Sequence, residues 1–408
     1  MKCRHCQTEL TTTFVDLKTS PPSNSFLTAD QLDKPEAFYP LHIHVCEECF
    51  LVQIDEFKNA HEIFSNDYVY FSSISKSWLA HCKKYSEQMI ERFGLDSNNQ
   101  VVEVASNDGY LLQYFHQQNI PVLGIEPTGN TADAAIAKGI ESVKEFFGEE
   151  IAHRLKSEGR GADLLIGNNV LAHVPDINDF VKGLKAMLNE EGVITMEFPH
   201  LMQLVANNQF DTIYHEHFSY LSLTTVSRIF ESFGLQLFDV EEIPTHGGSL
   251  RIYGKHAEDS SKEVSNRYEA LLEKEKSIGM TTLAYYEGFQ GKSDKVKDDL
   301  LEFLKTAKAE GKSVVGYGAA AKGNTLLNYC EVGTELIQYV VDASPHKQGK
   351  YLPGCHIPVV DESELRQTKP DYILILPWNI KDEIINQLSY TQEWGAEFMV
   401  AIPELSKV

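Results

Sequence analysis

Residues 101–112 read VVEVASNDGYLL: a short apolar run that contains one acidic residue, then a turn of small and polar residues, then an apolar helix start. A strand, a tight turn and a helix in this order form the first unit of many nucleotide-binding α/β domains. Small residues at the turn let a ligand approach the backbone, and the helix N-terminus favours polar or anionic groups. The stretch therefore predicts a parallel α/β sheet with a cofactor site at its edge.

Short apolar runs continue to alternate with amphipathic stretches after this unit, which is typical of a parallel α/β sheet. The predicted strands of the first set are 100–105, 122–127, 163–169, 192–199, 235–243 and 249–256. A charged, helical region through about residue 309 precedes a second set, with strands predicted in 313–324, 337–344 and 371–378. The fold class is therefore α/β, with two doubly wound sheets behind an N-terminal module.

Two cysteine pairs define the N-terminal module. Cys3 and Cys6 form one CxxC knuckle, and Cys46 and Cys49 form a second. In a reducing compartment, two such knuckles predict a structural zinc site with four thiolate ligands, rather than disulfides. We expect three domains: a zinc-binding module (1–65), a cofactor-binding domain (66–257), and a helical bridge with a second Rossmann-like domain (258–408).

Composition limits the classes of partner. The formal net charge of −23 argues against broad binding of nucleic acid, because nucleic-acid binders usually carry a basic face. No stretch approaches the roughly 20 apolar residues that cross a bilayer, so we expect no membrane partner. The N-terminus, MKCRHCQTEL, lacks the apolar core of a secretory signal, and we expect a cytoplasmic protein.

The first turn leaves two kinds of nucleotide cofactor open, nicotinamide dinucleotides and S-adenosylmethionine. Glu126 ends the second strand and could accept both ribose hydroxyls of an adenosine. The turn reads EVASNDG and lacks the GxGxxG spacing that a pyrophosphate needs, which favours S-adenosylmethionine. The candidate cofactor-binding residues are Glu103, Ala105, Asn107, Gly109, Glu126, Phe146, Asn168 and Asn169.

Residues 214–220, YHEHFSY, concentrate titratable side chains in about two turns of chain. A neutral histidine is a suitable general base because its ordinary pKa of about 6.5 lies near the working pH. A polar turn with stacked aromatic rings remains the structural alternative. A zinc protease is excluded, since the segment lacks the HExxH spacing.

Two further glycine-containing segments are candidates for ligand contact. GYGAAAKGN (316–324) combines a strand, a small-residue turn and Lys322, which predicts a phosphate cradle or, alternatively, a turn that binds nothing. In THGGSLR (245–251) the glycines predict a tight backbone approach, and His246 either faces the ligand or caps a strand.

With these segments in order, the sequence resembles the zinc-containing, S-adenosylmethionine-dependent C-methyltransferases of nucleotide-linked deoxysugars, such as the tetronitrose and mycarose C-3 methyltransferases. The matching runs are CRHC…CEEC, SPPSNSFL (20–27), YVYFSSISKSWLAH (68–81), VVEVASNDGYLL, YHEHFSYLS (214–222), THGGSLRIY (245–253) and VVGYGAAAKGNTLL (314–327). The resemblance implies a class I methyltransferase domain and methyl transfer to C-3 of a 4-keto-deoxysugar, with dTDP as the expected carrier.

The resemblance also implies site residues. His217 matches the base of the family, and the other implied catalytic positions are Tyr214, Glu216, Tyr68 and His173. For the substrate, which would lie between the second and third domains, we assign Tyr70, Ser72, His246 and Lys322. We expect a monomer. Three alternatives stay open: an NAD(P)-dependent oxidoreductase acting on a sugar nucleotide, an O- or N-methyltransferase on the same scaffold, and a zinc-ribbon adaptor.

Overall fold

The computed structural model of the chain describes residues 1–57 and 71–408. The strands within these ranges form three sheets, of four, seven and six strands. The predicted α/β class with an N-terminal module is confirmed, and most predicted strands lie within one or two residues of the observed ones.

The first sheet is antiparallel and contains one strand from a distant part of the chain. Its order is β1 (Thr12–Ser20), β2 (Tyr39–Val45), β3 (Val52–Ile54) and β9 (Ser219–Tyr220). β9 lies inside the YHEHFSY segment and pairs Tyr220 with Val52 and Ser219 with Gln53. The zinc-binding module therefore holds one end of the candidate catalytic segment.

The second sheet is a twisted α/β sheet with a single antiparallel strand. Its order is β10 (Leu235–Ile243), β11 (Ser249–His256), β8 (Leu188–Pro199), β7 (Ala162–Asn168), β4 (Val101–Val104), β5 (Val122–Ile125) and β6 (Ser142–Val143). β11 runs antiparallel to both of its neighbours, and the other pairs are parallel. The helices of this domain are α1 (Lys76–Phe93), α2 (Leu112–His116), α3 (Gly129–Ala137), α4 (Glu149–Ser157), α5 (Ile177–Met187), α6 (Leu201–Ala206) and α7 (Leu223–Ser232).

The third sheet is parallel except at one edge. Its order is β14 (Val359–Val360), β13 (Val340–Val341), β12 (Val314–Tyr317), β15 (Tyr372–Ile375), β16 (Glu397–Val400) and β17 (Ser406–Lys407), with β17 antiparallel to β16. The helices that precede and cover it are α8 (Asn266–Ser277), α9 (Phe289–Ala309), α10 (Ala321–Tyr329), α11 (Ser363–Thr368) and α12 (Lys381–Gln387). The predicted strand at 337–344 is reduced to two residues, because the chain turns away at Asp342.

A buried carboxylate in the bridge fixes the chain just after the YHEHFSY segment. Glu275 of α8 is fully buried and accepts hydrogen bonds from the backbone N–H groups of Leu223 (2.8 Å) and Thr224 (2.7 Å) at the start of α7. His200 donates to the same carboxylate from the end of β8 (2.6 Å). A negative charge at a helix N-terminus is favourable, since it satisfies N–H groups that lack partners within the helix.

Within residues 1–57 and 71–408, every helix is too short or too polar to cross a bilayer.

Candidate active site

A cavity of about 720 Å³ lies at the carboxyl ends of β4, β5 and β7, between the second domain and the start of α10. Ligands of open α/β sheets bind at this edge. The cavity wall includes most of the residues that the sequence predicts for the site: Ser72, Ala105, Asn107, Glu126, Phe146, Asn168, Asn169, His173, Tyr214, Glu216, His217, His246 and Lys322. The structure therefore brings together segments that are more than 200 residues apart.

Two predicted site residues in the described part of the chain do not line this wall. Glu103 is fully buried within β4, and Gly109 packs against the adjoining helix. A Cβ atom at Gly109, whose φ is +74°, would approach Ile140 Cδ1 to 2.5 Å, so the glycine is required for packing behind the cofactor turn. Tyr68 and Tyr70 lie outside the described residues.

The cofactor end of the cavity is organised around Glu126. This carboxylate is 4% exposed and accepts hydrogen bonds from the backbone N–H groups of Asn107 and Thr128, each at 2.8 Å. Burial raises the pKa of Glu126, although these hydrogen bonds oppose the rise. Ala105 (φ +57°) adopts the left-handed conformation that non-glycine residues rarely adopt, and such strain is concentrated at functional sites.

Ser72 lies at this same end rather than with the histidines. Its backbone N–H donates to Asn107 Oδ1 (3.0 Å). Asn168, on the opposite wall, is 5% exposed, and its amide atoms have no hydrogen-bond partner among the described residues. Phe146 is 36% exposed and forms part of the wall, which is a suitable surface for an aromatic ring.

His217 is held in one tautomer at the other end of the cavity. Its Nδ1 lies 2.9 Å from the backbone carbonyl oxygen of Thr212. A carbonyl oxygen only accepts hydrogen bonds, so Nδ1 carries the proton and Nε2 carries the lone pair. Burial lowers the pKa of His217 well below its ordinary value, and His173 lowers it further, while the bond to Thr212 opposes the shift. The imidazole is therefore neutral at pH 7.

Aromatic and polar side chains surround this imidazole. The ring of Tyr214 lies 4.0 Å from that of His217 between centroids, and the ring of His173 lies 4.7 Å away in an edge arrangement. Burial lowers the pKa of His173 to about 4, so His173 is also neutral. Glu216 is 7% exposed, and its Oε1 accepts a hydrogen bond from Asn24 Nδ2 (2.8 Å).

The third domain contributes a cation to the cavity. Lys322 lies at the first turn of α10, and its ammonium group donates to Asn379 Oδ1 (2.6 Å) and lies 4.6 Å from the ring centre of Trp378. Trp378 Nε1 donates to the buried carboxylate of Asp211 (2.7 Å). Burial lowers the pKa of Lys322, and Asp211 opposes the shift. A Cβ atom at Gly247 would approach the Trp378 ring to 2.4 Å, which explains the tight approach predicted for THGGSLR.

The four predicted cysteines form one cluster. The sulfur atoms of Cys3, Cys6, Cys46 and Cys49 all lie within 4.8 Å of one another, with Cys3–Cys49 and Cys6–Cys46 at 3.5 Å. A tetrahedral zinc site with bonds of about 2.3 Å has sulfur–sulfur edges of about 3.8 Å, so the cluster fits a structural Zn²⁺.

Arg4, inside the first knuckle, connects this cluster to the cavity. Its guanidinium donates to the carbonyl oxygens of Pro175 (2.8 Å) and Ile54 and lies 5.0 Å from the ring centre of Phe218. Pro175 belongs to the cavity wall and Phe218 directly precedes β9. The first knuckle thus contacts the cavity wall at Pro175 and the residue that follows His217 in the chain.

Several residues of the site were not predicted from the sequence. Asn24, Trp78, Thr212 and Lys347 all line the cavity. Asn24 and Trp78 lie in segments that carry the family resemblance, and this resemblance could have identified both residues as candidates for the site. Thr212 acts through its backbone carbonyl, which no side-chain pattern indicates, and Lys347 lies in a turn without a recognised motif.

Family comparisons match three consecutive parts of the chain. A zinc binding domain matches residues 3–64, a methyltransferase domain matches residues 78–240, and a C-methyltransferase C-terminal domain matches residues 244–403. The first two matches confirm the predicted zinc-binding module, the class I methyltransferase fold of the middle domain, and the cofactors S-adenosylmethionine and zinc.

Full-length similarity extends to a curated relative. The chain is 34% identical over 403 residues to the C-methyltransferase NovU of Streptomyces niveus, covering 99% of this chain and 96% of that protein. Among solved structures, the PH0226 protein of Pyrococcus horikoshii is 15% identical (TM-score 0.38, 49% of this chain and 99% of that one). The magnesium protoporphyrin IX methyltransferase of Synechocystis is 13% identical (TM-score 0.34, 48% and 88%). On the full-length match, the chain belongs to the family of C-methyltransferases that carry an N-terminal zinc binding domain.

Proposed function

We propose that this C-methyltransferase transfers the methyl group of S-adenosylmethionine to C-3 of a 4-keto-deoxysugar that is linked to a nucleotide. The observation that carries the proposal is the neutral imidazole of His217, whose Nδ1–H faces the Thr212 carbonyl and whose Nε2 is left as a base in the cavity. The family resemblance of the YHEH segment supports the same assignment.

The chemistry requires a base because an sp³ carbon beside a ketone is not a nucleophile. His217 Nε2 would take the proton at C-3, the electron pair of the C-3–H bond would form a double bond between C-3 and C-4, and the carbonyl π electrons would move to the C-4 oxygen as negative charge. C-3 of this enolate is the nucleophile for the methyl group that bound S-adenosylmethionine would supply, with S-adenosylhomocysteine as the leaving group. A neutral imidazole can accept this proton, whereas an imidazolium cannot, so the lowered pKa of His217 keeps the base in its active form.

The developing oxyanion needs hydrogen-bond donors that are already in position. Tyr214 and the neutral His173 lie next to His217 and are the nearest candidates. Such preorganised donors usually supply the largest single contribution to transition-state stabilisation. Glu216, the neighbouring carboxylate, would stabilise the imidazolium that forms when His217 takes the proton.

Bound S-adenosylmethionine supplies an electrophilic methyl group, and the residues of the first turn would hold it. Glu126 would accept the ribose hydroxyls, with Phe146 against the adenine ring and Asn168 at the methionine end. Asn168 supports this because its buried amide atoms have no protein partner among the described residues. A buried polar group of this kind is usually satisfied by a ligand or water.

The nucleotide of the substrate would lie on the side of the third domain. Lys322 and Lys347 both line the cavity there, beside the backbone of Ala320 and Ala321 at the start of α10. Two cations near a helix N-terminus form a suitable site for a diphosphate. They would supply local positive charge in a protein whose net charge is −23.

Hydrogen exchange tests the proposal directly. We would incubate the zinc-loaded protein with 4-keto nucleotide sugars in deuterated water, without cofactor, and follow the C-3 hydrogen by NMR. Wild type should exchange this hydrogen, and His217→Ala should lose exchange and turnover by about 100-fold or more. Turnover that survives in His217→Ala, or a product methylated on oxygen or nitrogen, would refute the mechanism.

Melting temperatures measured with each cofactor distinguish the proposed methyltransferase from the alternative of an NAD(P)-dependent oxidoreductase. S-adenosylmethionine should raise the melting temperature of the protein, because a ligand that binds only the folded state stabilises it by mass action. NAD(P) should not raise the melting temperature, since the first turn lacks the pyrophosphate glycines.

A further inference from the structure

Residues 20–27, SPPSNSFL, leave the end of β1, pass through a turn in which the Ser25 N–H donates to the Pro22 carbonyl oxygen (3.0 Å), and reach the third domain; we call this segment the proline arm. Leu27 forms two backbone hydrogen bonds with Tyr351 (3.0 and 2.9 Å). The ammonium group of Lys347 lies 5.6 Å from the ring centre of Phe26. The C-terminal end of the arm is therefore docked on the same domain that carries Lys322 and Lys347.

Asn24, three residues before this docking point, reaches the opposite side of the cavity. Its Nδ2 lies 2.8 Å from Oε1 of Glu216, and both residues line the cavity. A carboxylate accepts hydrogen bonds but does not donate them, so the amide N–H₂ of Asn24 must face Glu216. Asn24 is exposed towards the cleft, whereas Glu216 is buried. A side chain of the zinc-binding module thus contacts the carboxylate of the residue that precedes the candidate base in the chain.

We propose that Asn24 is a positioning residue for methyl transfer: it fixes the orientation of the Glu216 carboxylate, to which the proposed function gives the role of stabilising protonated His217, and links this orientation to the docking of the proline arm on the third domain. The proposal rests on the proposed function. Asn24 is neutral, so it orients Glu216 while leaving its negative charge available to the imidazolium of His217. A lysine at this position would instead neutralise that charge.

The geometry predicts an effect on the chemical step more than on substrate binding. With Asn24→Ala, the Glu216 carboxylate loses the hydrogen bond from the Asn24 amide, and its orientation for stabilising charge on His217 is less well fixed. Small misplacements of catalytic groups cost up to about 100-fold in rate. We expect Asn24→Ala to lower kcat by about 10- to 100-fold and to leave the KM of the sugar nucleotide within about threefold.

Asn24→Asp supplies a sharper test through pH. Two ionised carboxylates cannot share the contact between residues 24 and 216, but a protonated aspartic acid can donate in place of the amide. We expect kcat of Asn24→Asp, relative to Asn24→Ala, to rise as the pH is lowered from about 8 to about 6, because the like charge of Glu216 raises the pKa of the new carboxyl group. A role confined to folding of the arm would not give this pH dependence.

The experiment uses the full chain with zinc, and kcat, KM and cofactor-independent C-3 exchange are measured for both variants. Ser25→Ala is the matched control, since Ser25 lies on the same exposed arm and its hydroxyl has no hydrogen bond within the described part of the chain; it should behave as wild type. Melting temperatures within a few degrees of wild type establish that the variants fold.

Wild-type kcat and exchange in Asn24→Ala, or identical pH profiles of the two Asn24 variants, would overturn the proposal. A wild-type protein that exchanges no C-3 hydrogen would refute the proposed function instead. In that case, kcat of Asn24→Ala on the acceptor that the protein does methylate would decide the role of Asn24.

Discussion

The carbonyl oxygen of Thr212 determines which nitrogen of His217 can act as a base. Because a carbonyl oxygen can only accept a hydrogen bond, Nδ1 is the donor and Nε2 carries the lone pair. His173 and Tyr214 pack against the same ring and remove it from bulk water. At the scale of the residue, backbone geometry and burial keep the imidazole of His217 neutral and oriented, which is what the proposed role as a base requires.

The first prediction concerns the pH dependence of the rate. Burial lowers the folded-state pKa of His217, so the base remains neutral at pH values below the ordinary 6.5 of histidine. We expect kcat/KM to stay nearly constant from about pH 8 to about pH 6.5 and to fall only at lower pH. Circular dichroism at each pH would confirm that the protein remains folded. An acid limb centred at or above pH 6.5 would contradict the lowered pKa.

Side-chain chemistry was the most predictable level of the site. The YHEH segment, the two cysteine knuckles and Lys322 could be selected from residue type and spacing, and they reach the cavity or the thiolate cluster, except for His215, whose Nε2 lies near the backbone carbonyl oxygens of Tyr39 and Pro40. The partner of His217 could not be predicted, because a backbone carbonyl such as that of Thr212 carries no sequence signature. Asn24 could not be connected to Glu216 either, since the contact spans 192 positions of the chain.

At the scale of secondary-structure elements, β9 is the strand that local pattern indicates least. The alternating pattern predicted nine of the thirteen described strands of the two α/β sheets, each from its own apolar run, and did not predict the edge or near-edge strands β6, β14, β16 and β17. β9 has two residues and no such run, and it forms only because β3 of the zinc-binding module offers an unpaired edge. Pairing between distant edges depends on tertiary structure, which local patterns do not encode.

This pairing leads to a prediction about zinc. Removing zinc should unfold the knuckles, release Arg4 from Phe218 and free β9, and thereby displace His217. The cofactor turns lie in the second domain, so S-adenosylmethionine should still bind. We expect chelation to lower kcat by about 100-fold or more, while the Kd for S-adenosylmethionine, measured by calorimetry, changes only a few-fold.

Added Zn²⁺ should restore the activity of the chelated protein. Cys6→Ser should reproduce the loss, whereas Cys355→Ser should not, because Cys355 lies outside the thiolate cluster. Two results would show that the zinc site does not act through β9. One is a wild-type kcat in the metal-free protein, and the other is a Kd for S-adenosylmethionine that increases by the same factor as kcat decreases.

At the scale of the whole molecule, three domains meet at one cavity. The second domain provides the cofactor turns and His217, the third provides Lys322 and Lys347, and the zinc-binding module provides Asn24. The sequence predicted the order and class of these domains, because each has a distinct pattern. It could not predict their relative arrangement, because this depends on contacts such as that of Trp378 with Asp211, across 167 positions.

The connection between β1 and β2, residues 21–38, offers a way to test how this arrangement supports activity. Besides the proline arm, it contains Glu36, whose carboxylate accepts from the Gly354 N–H (3.0 Å) and from His356 Nε2 (3.0 Å) of the third domain. Glu36 is far along the chain from the candidate catalytic residues and does not line the cavity. Its substitution therefore changes domain docking without removing a group from the site.

Glu36→Ala should loosen the third domain and raise the KM of the proposed sugar-nucleotide substrate by about three- to tenfold. Hydrogen bonds to a charged group contribute about 1.5–3 kcal/mol, and this pair is partly exposed. The Kd for S-adenosylmethionine should be unchanged, because the cofactor turns lie in the second domain. Asp30→Ala is the matched control: Asp30 contacts only Thr28 and Lys34 of the same connection among the described residues. If Glu36→Ala raised the KM of the proposed substrate and the Kd for S-adenosylmethionine by equal factors, the variant would be generally destabilised. An unchanged KM would mean that this docking contact does not affect how the third domain binds the proposed substrate.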